Sequence, residues 1–305
     1  MSLLNGIVPP VLTPLRADGS LDLDSLDRLV EHLISGGVSG VFVLGSSGQV
    51  AYLTDAERDT VVDRVVALAA GRVPVFVGTP DMSAARVIDQ ARHVEARGAD
   101  AVVVTAPLYS LNDAGEIAEH FRLVARAVSV PVVAYDVPVR VHTKLGVDML
   151  VELGREGVLA GVKDSSGDDV AFRRLVAANR AAGSPLSLST GHEVMVDGMA
   201  LLGADGAVPG LANVDPAGYA RLWRAASEGD WTAARAEQDR LARLFEIAFV
   251  PQGRSGDAAG IGAFKAAAAA LGIIDTPTMP APMRGLTDAE TEQIVAILDE
   301  VGLTR

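Results

Sequence analysis

The sequence predicts an α/β protein built as a (β/α)8 barrel, the TIM-barrel architecture, followed by a helical C-terminal extension. Three observations predict it. Short β-branched runs recur eight times, each followed by a turn and a stretch with helical periodicity. The runs are mostly apolar without strict alternation, as befits a parallel sheet covered on its outer face by helices. Eight such units within about 225 residues suit a closed barrel better than an open doubly wound sheet.

The first run spans residues 6–13 and carries Pro9 and Pro10. Behind it, Leu23, Leu26, Leu29, Val30, Leu33 and Ile34 recur at three- and four-residue spacing, which puts one apolar stripe of a helix on a sheet. The second run, 39–45, ends in the turn Gly45, Ser46, Ser47, Gly48, Gln49. The next helix announces its start, because Thr54 and Glu57 are spaced as a capping box, and Gly71 marks its stop before the third run at 73–78. Runs at 99–105, 130–136, 158–163, 185–190 and 205–210 complete the eight. Segments 230–249, 257–271 and 287–302 then read as helices, with Pro277, Pro280 and Pro282 in a loop. The expected layout is a barrel over 1–228 and an extension over 229–305 packed on it. Neither 251–256 nor the proline loop is long or polar enough to demand a linker between independent domains.

Composition narrows the function. Apolar residues at 49% and charged residues at 21% are those of a folded protein rather than a disordered one. A net charge of -13 opposes binding to nucleic acid or to an anionic membrane, since both need clustered Lys and Arg. No apolar run approaches the ~18 residues of a membrane span and no leader reads at the N-terminus, so the expected address is the cytoplasm. The absence of cysteine removes disulfides, thiolate metal sites and a cysteine nucleophile together.

In a barrel the chemistry gathers at the C-terminal ends of the strands. The sixth run closes as Gly161, Val162, Lys163, Asp164, Ser165, Ser166, Gly167, with a lysine directly after an apolar strand. Lys144, Lys163 and Lys265 are the only lysines among 26 basic residues, so few amines are offered for covalent work. Lys265 precedes an alanine-rich helix and reads as structural, while Lys144 reads as a solvated loop residue. An ammonium in a dry barrel mouth loses hydration, which frees the neutral amine to attack a ketone; the plainer alternative is a lysine paired with Asp164. The fifth run carries Tyr135 next to its last residue, beside the sixth, where a phenol can move protons or simply pack. The Gly45–Gly48 turn can aim backbone N–H groups and two hydroxyls at a carboxylate, but such turns are also common connectors. It has neither a Walker lysine nor the three spaced glycines of a dinucleotide fingerprint. The five histidines form no HxH or HExxH pair, His192 with Glu193 being the nearest remnant of a metal site, and no G-x-S-x-G elbow is present.

Taken together, the GSSGQ turn, the YDVP strand end and the GVKDSSG lysine loop resemble the dihydrodipicolinate synthase and N-acetylneuraminate lyase family of pyruvate-dependent aldolases. Residues 10–14 (PVLTP), 104–109, 203–213 and 284–287 extend the resemblance over nearly the whole chain. It implies that Lys163 binds pyruvate C2 as an imine, that Tyr135 shuttles protons there, and that Ser46 links Tyr135 to Tyr109. It further implies that Ser47 and backbone N–H groups hold the carboxylate, with Gly45, Gly48 and Val208 lining the pyruvate. Arg140 resembles the arginine that takes the aldehyde's carboxylate in the synthases. In this family the residue matching Tyr109 reaches a neighbouring subunit's site, which implies a homotetramer built as a dimer of dimers. No metal and no cofactor beyond the covalent imine are expected.

Several positions depart from the synthase pattern: Gln49 where Glu is usual, Asp136 where Asn is usual, and Gly191, His192, Glu193 where Gly-Asp-Asp is frequent. The leading expectation is aldol condensation of pyruvate with an aldehyde such as aspartate semialdehyde, which Arg140 favours, while the Pro9-Pro10 entry and the strand-seven loop favour a 2-keto-3-deoxy sugar acid aldolase or a related hydroxy keto acid lyase. A non-catalytic keto-acid-binding barrel is a further alternative. A phosphate-binding barrel is another, prompted by Gly203, Gly206 and Gly210.

Overall fold

The computed structural model describes residues 3–304. Eight parallel strands, β1 (Gly6–Ile7), β2 (Val41–Val43), β3 (Val75–Gly78), β4 (Ala101–Thr105), β5 (Val132–Asp136), β6 (Gly161–Asp164), β7 (Ser187–Thr190) and β8 (Gly206–Ala207), form one sheet in the order β1-β8-β7-β6-β5-β4-β3-β2. Each of the eight predicted runs contains one of them, or all of it but its last residue. The strands are shorter than the runs, and the first shows why. Pro9 and Pro10 have no N–H to give, so the regular ladder stops at Ile7. The barrel still closes, because Ser39 N donates to Ile7 O at 2.7 Å, Phe42 N to Pro9 O at 2.9 Å and Val11 N to Phe42 O at 2.9 Å.

Helices α1 (Leu23–Ser35), α2 (Asp55–Ala69), α3 (Ala84–Ala96), α4 (Ala114–Ala125), the short α5 (Pro138–Val141), α6 (Val147–Arg155), α7 (Asp169–Ala181), α8 (Val196–Leu202) and α9 (Pro216–Ser227) cover the sheet. The predicted stripe of α1 is buried at Leu26, Leu29, Val30 and Leu33. The capping box is present on α2, where Thr54 Oγ1 accepts from Glu57 N and the Glu57 carboxylate accepts from Thr54 N. The helix stops one residue earlier than the glycine signal indicated, with Ala70 itself left-handed at φ 46. Helices α10 (Trp231–Phe245), α11 (Gly256–Ala270) and α12 (Asp288–Glu300) follow, α10 running on into a 3-10 turn at Glu246–Phe249. Leu241, Leu244, Ile247, Phe264 and Ile294 from this region belong to the same continuous apolar core as the barrel strands. No helix of the described residues is long and apolar enough to cross a membrane.

The glycines near β8 are explained by packing. A Cβ on Gly206 would lie 2.4 Å from Leu4 O and 2.6 Å from Gly6 O, so only glycine lets β8 approach β1. That close contact accounts for Gly206, one of the three glycines that prompted the phosphate-binding alternative.

Candidate active site

Register assembles the site from consecutive strands. Cα pairing runs Thr105 to Tyr135 between β4 and β5, Tyr135 to Lys163 between β5 and β6, and Lys163 to Ser189 between β6 and β7. In-register residues of parallel strands share a face, so these four side chains form one row at the C-terminal rim of the barrel. Lys163 is 5% exposed. Its Nζ sits 4.0 Å from the Tyr135 ring centroid and 4.7 Å from that of Phe42, and the two rings meet edge to face at 6.2 Å. Aromatic faces hold the cation while removing its water. The alternative of a Lys163–Asp164 pair is not what forms: Asp164 Oδ2 lies 3.5 Å from Lys144 Nζ, and Asp164 Oδ1 accepts from Ser166 N and Oγ.

Burial opposes ionisation of the Tyr135 phenol, but the Lys163 charge and hydrogen bonds with Ser165, Ser46 and Lys163 outweigh it and draw its pKa below the ordinary phenol value. Ser46 is thus joined to Tyr135, as is Ser165, whose part was not read from the sequence. Tyr109 is not. It is 93% exposed, with a left-handed φ of 71, and lies outside this cluster within the single chain.

The serine turn is bent differently from the expectation. The left-handed residues are Leu44 at φ 56 and Gln49 at φ 58, which flank the turn, rather than its glycines. Gly48 is required for contact, since a Cβ there would stand 3.0 Å from Val11 O. Strained non-glycine residues of this kind persist only where the surroundings over-determine them, and they cluster at functional sites. Ser47 faces the β8 side, its Oγ 3.4 Å from where a Cβ on Gly210 would stand. Val208 is buried just past β8, its N–H donating to Thr190 O at 2.7 Å.

Glu193 completes the inner wall. The residue is partly exposed, yet its carboxyl is desolvated, which raises its pKa to about 7 against the opposing effect of the Leu211 and Gly210 N–H groups and the Lys163 charge. The Leu211 bond is 2.6 Å. His192, its neighbour, instead approaches Asp169 at 3.0 Å, so the two do not converge on one point. Among the described residues no cluster of three or more His, Asp or Glu could hold a metal ion.

One of the two other lysine readings needs correction. Lys144 is not a solvated loop residue: its Nζ bonds Asp136, which is fully buried, and reaches Asp164. Burial depresses its pKa, but the two carboxylates more than offset this and raise it. Lys265 is structural as expected, but it is wholly buried, its Nζ donating to Thr278 O at 2.9 Å, and desolvation lowers its pKa to about 7.

Beside Tyr135 a cavity of about 200 Å3 opens, lined by Phe42, Leu44, Val50, Tyr52, Leu108 and Val141 among others, with Ser46 and Thr105 at its polar edge. Arg140, on α5, lies on this cavity as the sequence suggested. Its guanidinium is already engaged by Asp257, from the first turn of α11, in a two-pronged contact whose Nη1 to Oδ2 arm is 2.6 Å.

Comparison with known proteins identifies the family. The profile of the Dihydrodipicolinate synthetase family matches residues 3–301. An uncharacterized DapA-like lyase of Halobacterium salinarum is 37% identical over 306 residues, covering 98% of this chain and 95% of its own. A 4-hydroxy-tetrahydrodipicolinate synthase of Phenylobacterium zucineum is 33% identical over 303 residues, covering 99% and 98%. The crystal structure of YagE, a prophage protein of the dihydrodipicolinic acid synthase family from E. coli K12 in complex with pyruvate, superposes with a TM-score of 0.92 at 26% identity over 99% of both chains.

Proposed function

Since this chain belongs to the dihydrodipicolinate synthetase family and is a lyase of that family, we propose that it makes or breaks a carbon-carbon bond at pyruvate C3 through an imine on Lys163. The observation that carries the proposal is the buried Nζ lying 4.0 Å over the Tyr135 ring while the neighbouring Asp164 is occupied by Lys144. An amine buried among aromatic rings and without a carboxylate partner is left free to attack a ketone.

The chain's own groups supply the remaining steps. Lys163 Nζ adds to pyruvate C2, and Tyr135 delivers the proton with which the carbinolamine oxygen leaves as water. A proton leaves C3, and the enamine so formed attacks the aldehyde carbon, whose oxygen takes up a proton. Water then hydrolyses the imine and releases a 4-hydroxy-2-keto acid; cleavage is the reverse. Ser46 and Ser165 hold the Tyr135 hydroxyl, and Ser47 with the backbone of the 45–48 turn holds the pyruvate carboxylate, with Val208 against its carbon side. Tyr109 belongs to the relay of a second subunit, which its exposure in the single chain supports, and the assembly is a homotetramer. For the aldehyde, aspartate semialdehyde draws support from the Phenylobacterium relative's name and from Arg140 on the cavity. The Arg140–Asp257 contact weakens that support, because the guanidinium is not free.

Pyruvate with borohydride tests the imine directly, since only a covalent imine is reduced to a permanent adduct. One reduced pyruvate per chain, mapped to Lys163, is expected, together with loss of activity. Lys144 and Lys265 serve as controls for reasons the structure supplies, the first held as an ammonium by its carboxylates and the second wholly buried. No adduct, or an adduct on either control, overturns the proposal.

A further inference from the structure

The cavity beside Tyr135 is apolar, and its charges cancel. Aliphatic and aromatic side chains, Leu44, Val50, Tyr52, Leu108, Val137 and Val141, supply its walls, and Ser46, Gln49 and Thr105 add polar groups without charge. Among the described residues the charged groups lining it are Arg140 and Asp257, and these are bonded to each other through both arms of the guanidinium. A carboxylated aldehyde therefore meets a guanidinium whose two Nη arms are already held by a carboxylate, so that the pair offers it no net positive charge. To bind, its anion must displace Asp257, leaving that group unpaired, or approach a guanidinium whose charge Asp257 already balances; either weakens its binding. An uncharged apolar molecule faces no such cost and covers the aliphatic wall. Size agrees, since an apolar protein cavity of about 150 Å3 takes up benzene and this one is about 200 Å3.

Resting on the pyruvate reading above, we infer that the carbonyl partner of this lyase is an uncharged aldehyde with an apolar body, branched aliphatic or single-ring aromatic, and that the Arg140–Asp257 pair excludes carboxylated aldehydes. The bond-forming step is unchanged. The enamine C3 bonds to the aldehyde carbon, the C=O π pair moves to oxygen and takes a proton, and hydrolysis of the imine consumes one water and returns free Lys163. Asp257 is 117 residues from Arg140 in sequence and acts through the guanidinium, so it is a positioning residue for specificity.

The experiment compares benzaldehyde and isobutyraldehyde with aspartate semialdehyde, each with saturating pyruvate, in the wild-type protein and in Asp257→Asn. The expected result is a kcat/KM roughly tenfold or more higher for the uncharged aldehydes. Asp257→Asn frees the guanidinium and should move the ratio toward aspartate semialdehyde by roughly tenfold or more, the size of one charge-assisted contact. Preference of the wild type for aspartate semialdehyde, or a ratio unmoved by Asp257→Asn, overturns the inference. Borohydride labelling of the same preparation keeps the two claims apart: Lys163 labelled with the opposite aldehyde order defeats the specificity alone, whereas no label defeats the pyruvate reading. In that second case calorimetric binding of benzaldehyde against succinate semialdehyde still decides the specificity, tighter binding of the charged one being the overturning result.

Discussion

Lys144→Met replaces a half-buried ammonium by an apolar side chain of similar length, and its consequence is worked from two carboxylates. Asp136 and Asp164 are Cα partners on β5 and β6, buried to 0% and 5% exposure, with Lys144 Nζ against both. Adjacent strands stand ~4.8 Å apart, and at an effective dielectric of about 20 two like charges at that spacing repel by about 3 kcal/mol. Removing one partner of a buried ion pair costs about 3 to 5 kcal/mol; with Lys144 31% exposed we expect about 3 kcal/mol. The variant can reduce that cost by keeping a proton. Burial already raises the Asp136 pKa, more than Lys144 and the Leu145 N–H lower it, and the Asp164 charge adds to the rise. With Lys144 gone the folded chain holds this proton to still higher pH than the unfolded chain does. Where the folded state binds more protons, stability falls as pH rises. Urea denaturation should therefore show a deficit at pH 8 that shrinks at pH 5. Turnover should fall too, roughly tenfold to 100-fold, because Asp136 and Asp164 directly follow Tyr135 and Lys163, and misplacing reacting groups by about 1 Å costs on that order. Lys144→Arg should recover part of both. Equal stability at the two pH values, with wild-type turnover, would refute the reasoning.

Three other outcomes are expected. Tyr135→Phe should leave the circular dichroism and melting unchanged in form while turnover drops about 100-fold to 10,000-fold; near-wild-type rates would remove Tyr135 from the proton relay. Lys265, whose pKa burial lowers to about 7, binds fewer protons folded than unfolded between there and its ordinary 10.5, so stability should climb with pH across that window by up to about 1.4 kcal/mol per unit. Lys265→Met should abolish the slope in denaturation at pH 7, 8 and 9, and an identical slope would contradict the assignment. Glu193, raised from 4.5 to about 7 by desolvation, should have the opposite sign, its stabilising contribution fading as pH rises through that range. Glu193→Gln keeps an oxygen to accept the Leu211 N–H and should flatten the curve, so an unchanged curve would place the titration elsewhere.

What could be read from the sequence follows from range. The strands were legible because β-branched apolar runs are local, and the α2 cap because Thr54 and Glu57 are three residues apart. The placement of Lys163 and Tyr135 was legible, because a lysine after an apolar run and a phenol on the run before it stand on one rim of a parallel barrel, whereas their roles came from the family resemblance. The Asp257 partner of Arg140 was not, because it comes from α11 of the C-terminal extension, and only tertiary packing brings α11 over the mouth. The left-handed Leu44 and Gln49 carry no local signal either, since neither is a glycine or an asparagine. Lys144 was misread for a related reason. A lysine in a loop is solvated by default, and nothing in its neighbours tells that the loop folds back over the strand ends.

The side-chain alternation of a strand ties that misreading to the chemistry. On β5 and β6 the inward residues are Tyr135 and Lys163, so the next residues, Asp136 and Asp164, face the helices. Tyr135 with Lys163 and the buried carboxylate pair are thus consecutive on the same two strands, and the single Lys144 ammonium lies against both carboxylates while Lys163 has none. In the proposed mechanism Lys144 thereby serves an amine it never touches: by drawing Asp164 behind the strands, it leaves Lys163 at the front of the barrel without a carboxylate partner.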